Sequence, residues 1–225
     1  MNAPIDLSHV TLQTERLTLR PWRETDLEDF YAYAKVDGVG QMAGWTPHKN
    51  REESRKNLSH FISGKHTFAL EYRGKVVGSL GIETYNEESY PELENLKGRE
   101  IGYVLSKDYW GRGLMPEAVK AVTKYLFETV GLDFILVGHF QWNRQSARVI
   151  EKCGFQYIKS CPYETKYGTV ENSEKSILYK PHFMEGVSYE NDAQLVQEIY
   201  RRSDESSRLT GSKAGSVEFL TTVKY

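Results

Sequence analysis

Residues 101–140 set the tightest limit on the fold. A short apolar run at 101–105 is followed by Gly111 and Gly113, an amphipathic stretch at 114–130, and FILVGHF at 134–140. That last run has almost no polar alternation, as a strand covered on both faces would. The stretch before it carries Leu114, Ala118, Val122 and Tyr125 at helical spacing and stops at Gly131. Strand, glycine loop, helix and strand in this order predict a mixed α/β domain with helices on both faces of a sheet. A further helix over residues 143–152 ends at Gly154, and residues 155–159 and 176–180 read as strands that close the sheet.

Upstream, residues 9–20 alternate well enough for one strand, with Val10, Leu12, Leu17 and Leu19 as its apolar members. Thr25 and Glu28 have capping-box spacing and predict a helix through about residue 36, while Asn50 and Glu53 predict the start of another. Residues 67–72 and 75–83 flank Arg73-Gly74 as a hairpin. Residues 85–98 are polar and acidic and read as a loop.

Composition narrows the function classes. The chain has 225 residues, enough for one sizeable core and a small appendage. A formal net charge of -2 gives no overall bias toward nucleic acid or a membrane surface. No apolar run approaches the roughly 18 residues of a membrane span, and residues 1–10 lack the pattern of a signal peptide. Cys153 and Cys161 are too few for a disulfide framework, and no Cys/His cluster has zinc spacing. The expectation is a cytoplasmic protein without a metal centre.

Gly111 and Gly113 serve either to turn the chain or to admit a ligand's phosphates. They stand directly before a helix start, where backbone N–H groups lack partners and the helix dipole is positive. Pro116 falls in the first turn, where a missing N–H costs little. Such a place attracts phosphate, and glycine allows close approach. Arg112 and Lys107 add charge. No Gly-Lys-Ser/Thr follows and the third glycine of a dinucleotide fingerprint is missing, so neither of those loops is present.

EIGYVL at 100–105 with YWGRGLMPEA at 109–118 resembles the acetyl-CoA motif of the GNAT acetyltransferase superfamily. NRQS at 143–146 with ARVIEKCGF at 147–155 resembles the second signature of its RimJ/RimL branch, and TERLTLRP at 14–21 is similar to that branch's opening strand. The resemblance covers residues 9–183. It implies a mostly antiparallel sheet, flanked by helices, with a central V-shaped splay between the strands at 101–105 and 134–140. It implies acetyl-CoA as acetyl donor, with the pantetheine arm in the splay beside Val104 and Leu105. The pyrophosphate would rest on the backbone of Trp110, Gly111, Arg112, Gly113, Leu114 and Met115. Asp108 departs from the Gln or Arg that often opens this loop.

Acetyl transfer to an amine needs a neutral nucleophile, hydrogen bonds to the developing oxyanion and a proton for the leaving thiolate. Many superfamily members use a tyrosine late in the second signature as the acid; that position here is Ile150, and Ser146 is the nearest substitute. Asn143 would hold the pantetheine or phosphate region, cap the following helix, or both. Glu100 and Glu164 are the foremost candidates for the base, ahead of Glu83. Trp22, Trp45, Tyr103, Trp110 and Trp142 could wall the acceptor cleft, Trp45 foremost. Cys153 reads as a small buried residue.

The acceptor expected is the N-terminal amine of a protein or a small amine, and Glu87, Glu88, Glu92 and Glu94 mildly favour a cationic one. A non-catalytic acyl-CoA-binding regulator is the main alternative, on the strength of Ile150. Residues 1–183 form the expected catalytic domain and residues 184–225 a helical tail. That tail is amphipathic at 189–202 and apolar again at 217–225, and resembles the lead-in of class I SAM-dependent methyltransferases without their glycine-rich loop. A remnant of a truncated or decayed methyltransferase fusion, a docking helix, a homodimer contact or a partnership with a methyltransferase are the readings it suggests.

Overall fold

A computed structural model describes residues 1–181. The expected tail helix at 189–202 and the apolar segment at 217–225 lie outside the described residues. The strands are β1 (Leu12–Gln13), β2 (Leu17–Pro21), β3 (Thr67–Tyr72), β4 (Lys75–Glu83), β5 (Gly98–Leu105), β6 (Phe134–Phe140), β7 (Gln156–Glu164) and β8 (Val170–Tyr179). The α-helices are α1 (Leu27–Ala34), α2 (Arg51–Gly64), α3 (Leu114–Tyr125) and α4 (Arg144–Lys152). One sheet runs β1-β2-β3-β4-β5-β6-β8-β7, and every pairing is antiparallel except β5–β6.

Local chemistry explains the elements that form as expected. Arg73 (φ 51°) and Gly74 (φ 78°) are both left-handed, as a two-residue hairpin of matching twist requires. Asn50 Oδ1 accepts from Glu53 N at 2.9 Å, and Glu53 Oε2 accepts from Lys49 N at 2.8 Å, so α2 starts on a reciprocal cap. Gly131 (φ 77°) stops the helix after α3, beyond a π-turn over Leu126–Val130. Phe134 and Leu136 pack with Tyr85, Tyr90 and Leu93, while Ile135 and Val137 join the core beneath α3 and α4. The apolar run is therefore a strand covered on both faces. Trp22, Phe30, Tyr33 and Leu58 build a separate core between the sheet and α1 and α2.

Three expectations change. Residues 9–20 are not one strand: Thr14 turns the chain, its N–H donating to Leu17 O at 2.9 Å, and splits the run into β1 and β2. The polar stretch at 85–98 is more than solvated loop, because Tyr85, Tyr90 and Leu93 are buried in it. Thr25 and Glu28 form no capping box. Asp26 caps a preceding 3-10 turn instead, accepting from Arg23 N at 2.8 Å, and Glu28 turns outward to Arg51.

Asp26 takes that role because Arg20 fixes it. Arg20 is 6% exposed and grips Asp26 through two bonds of 2.8 and 2.9 Å, with a third to Glu71 at 2.7 Å. These hydrogen bonds raise the Arg20 pKa above its ordinary value against the opposing effect of burial. Removing Asp26 leaves the buried guanidinium with Glu71 as its remaining carboxylate and two N–H groups unpaired. Asp26→Ala should therefore cost about 3–5 kcal/mol in urea unfolding; an unchanged midpoint would dismiss the network as a fastener.

His48 is a second buried polar fastener, 8% exposed. Its Nδ1 lies 2.7 Å from Ser54 Oγ and its Nε2 lies 3.3 Å from Asn57 Nδ2, so Nε2 accepts and Nδ1 donates. A second proton would face the Asn57 amide. Burial lowers its pKa below 6.5, with Lys166 adding to the effect and Glu53 opposing it. The sign follows: above about pH 6.5 both folded and unfolded states carry neutral His48, and its contribution is intact. As pH falls from there the unfolded state binds a proton that the folded state excludes, and stability declines. The melting temperature should drop between pH 7 and pH 5, and His48→Gln should flatten that slope. His139, also lowered by burial, retains a share of it.

No helix among the described residues is long and apolar enough to cross a membrane.

Candidate active site

β5 and β6 are paired only from Gly98↔Phe134 to Ile101↔Val137. Beyond that point β5 stays with β4, through Gly102↔Gly81 to Leu105↔Gly78, and β6 stays with β8 through Gly138, His139 and Phe140. Each strand follows its other neighbour, so the two part and leave facing backbone edges without ladder partners. Ser106 N donates to Val77 O at 2.7 Å and Trp110 Nε1 caps Leu105 O at 2.8 Å, which holds the end of β5 away from β6.

The chain then turns through Gly111 and Gly113, each with φ 75°, a conformation that strains any residue with a Cβ. A Cβ on Gly111 would meet nothing within 4 Å. Among the described residues nothing accepts a hydrogen bond from the amides of Gly111, Arg112, Gly113, Leu114 or Met115. The next residue is Pro116, which has no amide to satisfy. The Arg112 side chain turns away, donating to Asp108 O at 2.7 Å and lying over the Tyr109 ring. Lys107 rests over Trp110. What this loop presents is its backbone.

A cavity of about 710 Å³ runs from the loop through the splay to β6 and β8, lined by Tyr103, Val104, Leu105, Trp110, Leu114 and Met115 among others. Ser146, in the first turn of α4, lies half-buried on this cavity with its Oγ 2.9 Å from the Tyr103 hydroxyl. Burial raises the Tyr103 pKa well above the phenolic range, so the hydroxyl stays neutral. Asn143 is 5% exposed and works in two directions: Oδ1 accepts from Ser146 N at 3.1 Å, and Nδ2 donates to Met42 O at 3.2 Å. It caps α4 and ties down the segment that walls the cavity. Ile150 is buried in the main core. Burial pushes the Cys153 thiol up to about 11, a value that leaves it unreactive.

The carboxylates separate. Glu100 and Glu83 face each other across β4 and β5 and both line the cavity. Glu100 Oε1 lies 2.5 Å from Lys175 Nζ, while Glu83 Oε1 is 3.4 Å from His66 Nδ1. Glu164 is exposed at the end of β7 and does not line the cavity. Trp45 is a buttress: a Cβ on Gly40 would lie 2.3 Å from its ring, and it packs against His48. Trp22 is buried in the core and Trp142 is exposed. Val39, Met42, Phe140 and Tyr163 also line the cavity, and a Cβ on Gly44 would lie 2.8 Å from the Tyr163 ring.

Sequence reasoning did not single out Lys175, His139, Arg148 or Lys152, all of which line the cavity. Arg148 and Lys152 stand one turn apart on α4, and that spacing was readable as a basic stripe. His139 lies 3.4 Å from Glu174 through Nε2, and its Nδ1 is buried without a hydrogen-bond partner among the described residues. Nothing local marks it or Lys175.

The family model described as Acetyltransferase (GNAT) domain matches residues 16–156. The uncharacterized N-acetyltransferase YoaA of Bacillus subtilis (strain 168) is 28% identical over 180 residues, spanning 72% of this chain and 98% of YoaA. Among solved structures, a GNAT-family acetyltransferase from Bacillus anthracis shares the fold with a TM-score of 0.65 at 23% identity, over 76% of this chain and 99% of that one. The ribosomal-protein-S5-alanine acetyltransferase from Vibrio fischeri does so with a TM-score of 0.60 at 18% identity, over 76% and 97% of the two chains. The chain therefore belongs to the GNAT acetyltransferase family and is an acetyltransferase whose acetyl donor is acetyl-CoA.

Proposed function

We propose that the protein is an N-acetyltransferase of the RimJ/RimL type, acting on a primary amine by direct attack in a ternary complex. The acceptor is the N-terminus of a protein or a small amine. One observation carries this reading: the cavity along the opening between β5 and β6 joins Gly111, Gly113, Leu114 and Met115, whose amides have no acceptor among the described residues, to Ser146, Tyr103 and Glu100. The donor set fits the ligand. The amides of residues 111–115 would take the pyrophosphate, with Arg148 and Lys152 adding positive charge beside them. The edge of β5 that β6 leaves at Val104 and Leu105, where Trp110 already holds the Leu105 carbonyl, would lie along the amides of the pantetheine arm.

Bound acetyl-CoA supplies a thioester whose carbonyl carbon accepts the amine and whose C–S bond then breaks. Ser146 donates its hydroxyl proton to the leaving sulfur, and Tyr103, at 2.9 Å, backs that hydroxyl with its own. Glu100 takes the proton released by the amine, directly or through one water, while Lys175 holds its carboxylate at the cavity floor. Glu83, opposite Glu100, adds a second negative charge that favours an ammonium in the acceptor end. Glu164 takes no part in this scheme. The rival, a non-catalytic regulator, rests on Ile150; the Ser146–Tyr103 pair favours catalysis.

Acetyl-CoA should raise the melting temperature, since saturation at about a hundred times its Kd stabilises the native state by about 2.7 kcal/mol. Gly113→Val, which puts a branched residue at φ 75°, should abolish that rise. Absence of any rise for the unaltered protein at millimolar acetyl-CoA would remove the central claim.

Ser146→Ala should lower kcat about a hundredfold in a thiol-release assay run across a panel of amines. Its Kd for acetyl-CoA should stay within about threefold, because the hydroxyl acts only as the sulfur leaves. Unchanged turnover with weakened acetyl-CoA binding would reduce Ser146 to a binding group.

A further inference from the structure

The turn between β1 and β2 is distant in sequence from the glycine loop yet packs against it. Glu117, in the first turn of α3, accepts three hydrogen bonds from that turn and forms an ion pair with Arg16 Nη2. Thr14 Oγ1 (2.6 Å) and Arg16 N (2.9 Å) reach Oε1; Arg16 Nε (2.7 Å) and Nη2 (2.6 Å) reach Oε2. Burial pushes the Glu117 pKa up, but the bonds from Thr14 and Arg16 outweigh it and hold the carboxyl below its ordinary value. Arg16 then extends Nη1 to the carbonyl oxygen of Arg112 at 2.8 Å. Nε and Nη1 thus donate within the protein, and Nη2 lies against the carboxylate.

The bond to Arg112 O has a geometric consequence. In a trans peptide the C=O and the following N–H point in opposite directions. Holding the Arg112 carbonyl toward the β1–β2 turn aims the Gly113 N–H the other way, and Gly113 lines the cavity. Glycine has no side chain to select among its backbone wells, so a loop with two left-handed glycines needs something outside itself to fix its peptide planes. Arg16 is the side chain in contact that does so; its Nη2 lies 3.6 Å from where a Gly113 Cβ would be.

We infer that Arg16, held in place by Thr14 and Glu117, is a positioning residue that aims the amides of the Gly111–Gly113 loop at the pyrophosphate of the acetyl donor. This rests on the acetyl-CoA reading and adds to it a role for the β1–β2 turn. Arg16 acts through the loop backbone, not as a phosphate ligand.

The test is titration calorimetry with CoA on the unaltered protein and on Arg16→Ala, Glu117→Gln and the double variant, with the melting temperature of each free protein. Each single variant should weaken CoA about tenfold, and the double should lose little more than either, as members of one unit do. Arg16→Lys should fail to restore affinity, because an ammonium cannot grip the carboxylate and the carbonyl together. Thr14→Val, the mildest change, should give a smaller loss in the same direction and serves if Arg16→Ala folds poorly.

Normal CoA affinity in Arg16→Ala or in Glu117→Gln, with only a lower melting temperature, would make the cluster a structural fastener and overturn the proposal. Rescue by Arg16→Lys would overturn it too, because Arg16 would then act as a simple charge on the phosphates. Failure of the unaltered protein to bind CoA would defeat the acetyl-CoA reading itself; failure confined to the predicted variant pattern defeats only the clamp.

Discussion

β5 and β6 are bonded from Gly98 to Ile101 and then part, because each strand is committed to its other neighbour. A parallel pair that ends partway along both strands exposes backbone edges inside the domain, where unpaired polar groups are costly. The cavity along the gap leaves room beside those edges. The glycine loop starts where β5 ends, and α4 begins just past the end of β6. The geometry of the site therefore descends from one interrupted ladder.

The two glycines of the loop answer to two constraints at once. Their φ of 75° alone demands glycine, so the turning role is real. The turn they make also leaves five successive amides, the last two in the first turn of α3, without an acceptor among the described residues, which is the arrangement an anion prefers. Conformation and ligand chemistry are not rival explanations here, because the left-handed turn is what directs the amides outward.

Charged groups in the fold are held by partners rather than left to solvent. Arg20 is fixed by Asp26 and Glu71, Glu100 by Lys175, and Glu117 by Thr14 and Arg16. The pairs Arg20–Glu71, Glu100–Lys175 and Thr14–Glu117 link elements far apart along the chain, and Glu100–Lys175 lines the cavity. Asn143 does the same with a neutral amide, joining the cap of α4 to the backbone at Met42.

Much of this was legible in the residues. Arg73-Gly74 marked the hairpin, Asn50 and Glu53 marked α2, and the unbroken apolar run at 134–140 marked a strand covered on both faces. These signals are local: backbone conformation, capping and periodicity act within a turn or a strand, so short stretches carry them. The family likeness added the splay and the loop's ligand. Only the tertiary structure decided which polar groups meet. Tyr103 reaches Ser146 across 43 residues, Lys175 reaches Glu100 across 75, and Thr14 reaches Glu117 across 103. It also set aside Trp45 as a buttress and left Glu164 outside the cavity. A carboxylate or hydroxyl in the sequence looks the same whether it faces water or a distant partner, and folding alone distinguishes them, by bringing strands that share no local pattern side by side.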